Sequence, residues 1–392
     1  MRWLFGRDPT LIALVALGVV NHVTLAGNRV TASLEALRMG ASPATVGFLL
    51  ALYALLPMFS AVAVGRWSDR IGVRRPMLTG SLGMMVASAL PALVPGFPAL
   101  FASACLMGVS FLFFQVPTQN ATGELGSPGQ RAHNFSTLAL GYSISGFLGP
   151  LVAGLAIDHG GFPMTFALLA MLPVVPAVVL YRGRLALPGP HPVHEDAPPR
   201  RVIEIVRHRQ LRRVLLLNLM FSVAWELHTI VIPVYGARIG LSASEIGFVL
   251  SSFGAATFVV RFSLRWVVRR FTEHQVLTTA LFIAAMVYLL FPFGTVAPVL
   301  MGLSFCLGLG LGMSQPMVMA LLHTHAPPGR MGEAAGVRMS LVQSMSVAVP
   351  LAFGALGATV GLTPVFWSVG VCLATGGWWS KASAKGVRGG GG

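Results

Sequence analysis

Charge is scarce in this chain: Asp, Glu, Lys and Arg make up 10% of its 392 residues. A soluble domain carries roughly 25%, so no ordinary water-facing surface can be built from this composition. Acidic residues are scarcer still, 12 against 27 Lys and Arg, for a formal charge of +15. Cysteine is nearly absent. Cys105, Cys306 and Cys372 all fall inside apolar runs, where they read as small buried hydrophobes and support neither a disulfide nor a metal framework. There is no HExxH, no GxSxG and no pair of aspartates within the apolar segments. An intramembrane enzyme has no constellation to work with here, and no cofactor or metal is called for.

Apolar length is what the chain has in abundance. Hydrophobic residues reach 55% and the mean hydropathy is +0.76. Stretches of about 18 to 25 residues recur throughout, each long enough to cross about 30 Å of hydrocarbon as a helix. About twelve are expected: Thr10 to Ala32, Pro43 to Val64, Met77 to Val94, Ala99 to Asn120, Phe135 to Ile157 and Pro163 to Tyr181, then Val214 to Tyr235, Ile246 to Val268, Val276 to Phe293, Ala297 to Leu322, Val337 to Thr359 and Pro364 to Trp379. The fold class is an all-α polytopic membrane protein. The first run, behind Arg2 and Arg7, continues past Val20 without a clear cleavage site and is read as a retained span.

The placement of the positive charge gives the orientation. Arg66, Arg70, Arg74 and Arg75 follow span two, and Arg182, Arg184, Arg200, Arg201, Arg207, Arg209, Arg212 and Arg213 lie between spans six and seven. Arg265, Arg269 and Arg270 end span eight, and Lys381, Lys385 and Arg388 close the chain. If the spans alternate, all lie on one side, so the positive-inside rule puts both termini in the cytoplasm. The basic balance is therefore a topology signal, and nucleic acid is not an expected partner.

The chain repeats itself at a fixed interval. Arg38, Gly40, Ser42, Gly47, Phe48 and Leu50 match Arg238, Gly240, Ser242, Gly247, Phe248 and Leu250, each pair 200 positions apart. The register persists through Gly108 and Gly308, Gln115 and Gln315, Pro150 and Pro350, and Gly154 and Gly354. Six spans per copy is an even number, so the halves are parallel repeats. The expected organisation is a bundle over 1–186, a Pro- and charge-rich cytoplasmic linker over 187–213, a second bundle over 214–380 and a cytoplasmic tail over 381–392.

Gly65, Asp69, Arg70, Gly72, Arg74 and Arg75, in GRWSDRIGVRR between spans two and three, resemble the GxxxDRxGxRR signature of the major facilitator superfamily. That resemblance implies the same twelve-helix, two-repeat architecture that the span count and the repeat also suggest. It implies a cytoplasmic gate in which Asp69 and the arginines pair across the halves in one conformation, with Arg338 and Glu124 as partners. The second copy is degenerate, with Arg265, Arg269 and Arg270 at the corresponding positions. Gly149, Pro150, Ala153 and Gly154 resemble the end of the GPxxGG element of the superfamily's antiporters, although Ala153 replaces one glycine and Ser145 stands where another is expected. Export is thereby favoured, and small residues allowing close helix contact remain the alternative account.

Polar residues inside spans are costly in lipid and so face a cavity or a partner. Spans one, four, seven and ten, which line the cavity in the superfamily, hold Asn21, His22, Asn28, Arg29, Gln115, Gln119, Asn218, Trp225, Glu226, His228 and Gln315. Asn21, Asn28, Arg29, Gln115, Gln119, Asn218, Trp225, Arg261 and Gln315 are the expected cavity residues, with Arg29 and Arg261 also close enough to an interface to snorkel. Glu226 is the one carboxylate deep in a span. Carrying a proton relieves the cost of its charge, which makes it the first candidate for proton coupling, with His22 and His228 next. Pro117 and Pro316, near Gln115 and Gln315, are expected to bend spans four and ten at matching places. The function implied is a secondary active transporter of a small organic solute, proton-coupled and exporting, in a bacterial inner membrane as a functional monomer among lipid. Proton-coupled uptake of an organic anion is the alternative.

Overall fold

In a computed structural model the chain is described over residues 8–126, 130–189, 208–326 and 331–389, and every regular element among them is helical. The first half contains α1 (Pro9–Arg38), α2 (Pro43–Ile71), α3 (Arg74–Leu93), α4 (Phe97–Glu124), α5 (Arg131–Met171) and α6 (Val174–Tyr181). The second contains α7 (Arg209–Arg238), α8 (Ala243–Phe262), α9 (Leu264–Arg270), α10 (Glu273–Leu290), α11 (Ala297–Gly312), α12 (Ser314–His325), α13 (Met331–Thr359) and α14 (Leu362–Gly389). A helix satisfies its own backbone within the segment, which is why only helices serve here. Ten stretches are long and apolar enough to cross a membrane. The longest, His133–Tyr181, turns at Gly161 and so holds spans five and six; α14 supplies the last of the twelve spans.

Local chemistry sets the ends. Asp8 caps α1, accepting from the Thr10 amide at 2.8 Å ahead of Pro9 at the first helical position. Ser42 caps α2, and Ser242 with Glu245 forms a reciprocal capping box on α8. After α1 and α7 the chain enters the left-handed region at Gly40 (φ 82°) and Gly240 (φ 83°). Ala41 then bonds back to Ala36, and Leu241 to Gly236, both at 2.9 Å, so the same closing turn is built in each copy. Gly161 (φ 74°) and Gly361 (φ 83°) repeat the correspondence before spans six and twelve.

Several boundaries differ from the expected ones. The second half starts earlier, because α7 begins at Arg209. The linker's residues 190–207 lie outside the described residues, as do Arg2 and Arg7. Residues 381–389, expected as tail, continue α14. Span eight is divided at Ser263 and span ten at Met313, whereas α4 runs unbroken through Pro117. The two prolines thus act differently: the break falls three residues before Pro316, directly after the Gly-rich GLGLG stretch that ends α11, and span four lacks that stretch.

The halves meet along two seams, α2 against α13 and α5 against α8. We call the side where α1 begins the terminal face and the other the far face. At the far face the seams are glycine-tight. A methyl on Gly47 would collide with the Pro350 carbonyl, and one on Gly247 would lie 2.6 Å from the Pro150 carbonyl. At the terminal face Gly65 and Gly336 meet nothing within 4 Å. The largest apolar cluster runs across both halves, from Val46, Leu49 and Leu50 through Ile246, Val249 and Leu250 to Phe353. A smaller one, Leu14, Met77, Phe114 and Leu180, ties the first half together on its own.

Candidate transport path

Span one presents its polar stripe in two directions. Asn21 and Asn28 are fully buried against α3: their Nδ2 atoms donate to Ser81 Oγ at 2.9 Å and Ser88 Oγ at 3.3 Å, and Tyr53 donates its hydroxyl to Asn28 Oδ1. This corrects their expected place in the cavity. Two polar residues seven apart meet two serines seven apart, and the stripe is helix-to-helix glue. His22 turns the other way, with Nδ1 2.7 Å from Ser145 Oγ and its ring between Phe111 and Tyr142.

Arg29 and Glu226 find each other across the halves. Arg29 Nη2 donates to Glu226 Oε2 at 3.2 Å, and Ser346 on α13 donates to Glu226 Oε1 at 2.8 Å. The side chains are 23% and 11% exposed. Arg29 therefore pairs inside the bundle and does not snorkel. Its Nε is buried with no partner, and its guanidinium lies 6.0 Å from the Tyr53 ring centroid. Among the described residues this is the one ion pair that joins the halves; the other, Arg38 with Glu35, lies within α1.

Arg261 does not snorkel either. It donates from Nη1 to Ser143 Oγ at 2.7 Å and the Ala139 carbonyl at 2.9 Å, and from Nε to the Gly312 carbonyl at 3.3 Å, joining α5, α8 and α11. His228 is buried in the second half with Nε2 3.0 Å from Ser304 Oγ and its ring stacked on Phe253 at 4.5 Å. That is a packed histidine, apart from Glu226, so the expected relay through it is not built in this conformation. Trp225 stands edge-on to Phe253 at 4.7 Å. Gln115 and Gln119 are half-buried, Gln315 is exposed, and Asn218 is buried with Nδ2 unpartnered.

At the terminal face the gate residues are apart. Asp69, Arg70 and Arg75 are exposed, and Asp69 joins no ion pair among the described residues. Gly72 ends α2 at φ 83°, Gly65 is half-buried, and Arg74 donates to the carbonyls of Gly183 and Leu185 at 3.0 and 2.6 Å. Arg74 thus holds the end of span six, within its own half. Arg338 is buried with Nε unpartnered, and Glu124 is exposed; neither pairs with Asp69. Sequence reasoning missed Ser346, Ser143 and Tyr53. For Ser346 a signal existed: it lies eight residues from Arg338, on the same helical face.

The model of the Major Facilitator Superfamily matches residues 12–350. The chain is 25% identical to a class C tetracycline resistance protein of Escherichia coli, across 86% of this chain and 88% of the relative. It is 27% identical to multidrug resistance protein MdtG of Citrobacter koseri, across 80% and 79%. A crystal structure of a peptide transporter, POT, in complex with sulfate superposes with a TM-score of 0.77 at 18% identity, over 97% of this chain and 95% of that one. The chain is a multi-pass membrane transporter, not an enzyme, and it belongs to the Major Facilitator Superfamily.

Proposed function

We propose that the chain exports a small organic solute in exchange for protons, by alternating access across a bacterial inner membrane, with the terminal face cytoplasmic. The observation that carries the reading is Glu226 bridging Arg29 of one half and Ser346 of the other. As an anion it holds spans one, seven and eleven together; protonated, it loses its ionic attraction for Arg29 and the link between the halves weakens. The far-face packing with an open terminal face fits a cytoplasm-facing state. One chain carries both halves of the path, so a monomer suffices. The relatives named for tetracycline and multidrug resistance support export.

Uptake of an organic anion is the second reading, favoured by the excess of cations: Arg29, Arg261 and Arg338 are set against Glu226 alone. Inverted and right-side-out vesicles with an imposed pH gradient separate the two. Accumulation of a neutral drug in inverted vesicles with an acidic lumen is expected. Accumulation confined to organic anions in right-side-out vesicles bathed in acid would favour uptake, and no gradient-driven flux in either would end both. An epitope after Lys385 should be protease-accessible only in the inverted vesicles.

Asp69→Asn is expected to slow transport more than it weakens solute binding, because the pairing of Asp69 belongs to the other conformation. An exposed ion pair contributes up to about 1 kcal/mol, so the loss in rate is about fivefold. Equal losses in rate and binding affinity, read by flux and equilibrium binding, would move Asp69 from the gate to the solute site.

A further inference from the structure

The two seams are related by the repeat, and their far ends differ at both partners of one interaction. At the end of span five, Asp158 reaches across the seam to the first turn of α8: Oδ1 accepts from the Ala243 amide at 3.2 Å and Oδ2 from the Ser244 amide at 2.8 Å. Ser244 Oγ returns a bond to the Gly154 carbonyl at 3.3 Å. The position 200 residues after Asp158 is Ala358, which has no carboxylate. The position 200 residues before Ala243 is Pro43, which has no amide hydrogen. The carboxylate and the Ala243 donor of one seam are thus both missing in the other, where only the amide of Ala44, the counterpart of Ser244, remains. Helix α8 already has its own cap in Ser242 with Glu245, so Asp158 adds a second cap from the opposite half, where free amides and the positive end of the helix dipole favour an anion.

We infer that Asp158 is a positioning residue of the transport cycle: its bidentate cap on α8 latches the α5–α8 seam when the far face is closed and must be broken for that face to open. The α2–α13 seam, held there by glycine and apolar packing without such a cap, opens with the smaller barrier. This assignment concerns closure only and stands whichever way the solute travels.

The test uses full-length protein with Cys105, Cys306 and Cys372 replaced by alanine and spin labels at Leu93→Cys and Phe293→Cys, exposed far-face positions of the two halves. With neither solute nor pH gradient present, Asp158→Ala is expected to raise the population at the long inter-label distance relative to that at the short one by about threefold to tenfold. Asp158→Asn keeps a neutral acceptor and should shift the ratio less. Ala243→Pro removes one donor at a position where a helix tolerates proline, and should shift it in the same direction. An unchanged or shortened distance in Asp158→Ala overturns the latch. If that variant does not fold, Ala243→Pro decides alone, and an unchanged distribution there overturns it as well.

Discussion

In Glu226→Gln, accumulation driven by a pH gradient is expected to fall to the level of protein-free vesicles, while binding and equilibrium exchange of the same solute persist. Gln is close in shape, and with its Oε1 accepting from Arg29 and its Nε2 donating to the Ser346 hydroxyl, the contacts of α1, α7 and α13 remain. What it cannot do is gain and lose a proton as the surroundings of the site alternate. Replacing Arg29 by Met should do something different: it strands the Glu226 carboxylate opposite Ser346, and a buried charge deprived of its partner costs up to about 3–5 kcal/mol. The contrast between a stable, uncoupled variant and a destabilised one separates coupling from structural bracing. Unchanged pH dependence in Glu226→Gln would pass the coupling role to His22, which meets Ser145 in the first half.

Gly47→Ala is the second large effect. Its methyl group would collide with the Pro350 carbonyl and lie 3.0 Å from Gly354 Cα, both of them backbone that cannot rotate away. Overpacking of this kind costs about 1–3 kcal/mol and acts on the closed far face alone. The balance between the two states should move by about 5- to 150-fold toward the open far face. Distances between labels at positions 93 and 293 report it, and Gly302→Ala, at a glycine outside the gate with open space around it, is the matched control. A distribution in Gly47→Ala equal to that of the control would mean that this contact does not hold the far face shut.

Much of the architecture can be read from the chain because hydrocarbon imposes a length on every crossing and the repeat fixes the register of the copies. Gly40 and Gly240, or Gly161 and Gly361, turn to a similar positive φ from the same spacing. The site is only partly legible. Polarity inside a span says that Asn21, Asn28, Arg29 and Glu226 each need a partner, and it does not say whether that partner is water, a serine on a neighbouring helix or a charge in the other half. Asn28 takes Ser88 and Tyr53, whereas Arg29, the next residue, turns about 100° around the helix and takes Glu226. Asp158 falls in a short connection between spans, where an acidic residue carries no desolvation cost that would single it out.

The interruption of span ten bears on Arg261. Because α11 stops at Gly312, its last carbonyls take partners outside the helix: the Leu311 oxygen accepts from the Ser314 hydroxyl and the Gly312 oxygen receives the Arg261 Nε–H. The negative end of a helix dipole, together with the Ala139 carbonyl and the Ser143 hydroxyl, therefore screens this guanidinium in place of a carboxylate. Such a counterweight does not titrate. In the proposed transport path Arg261 then supplies a standing positive potential that attracts electronegative groups on a passing solute. Changes in flux with acidity then report on Glu226 and the histidines against a fixed electrostatic background.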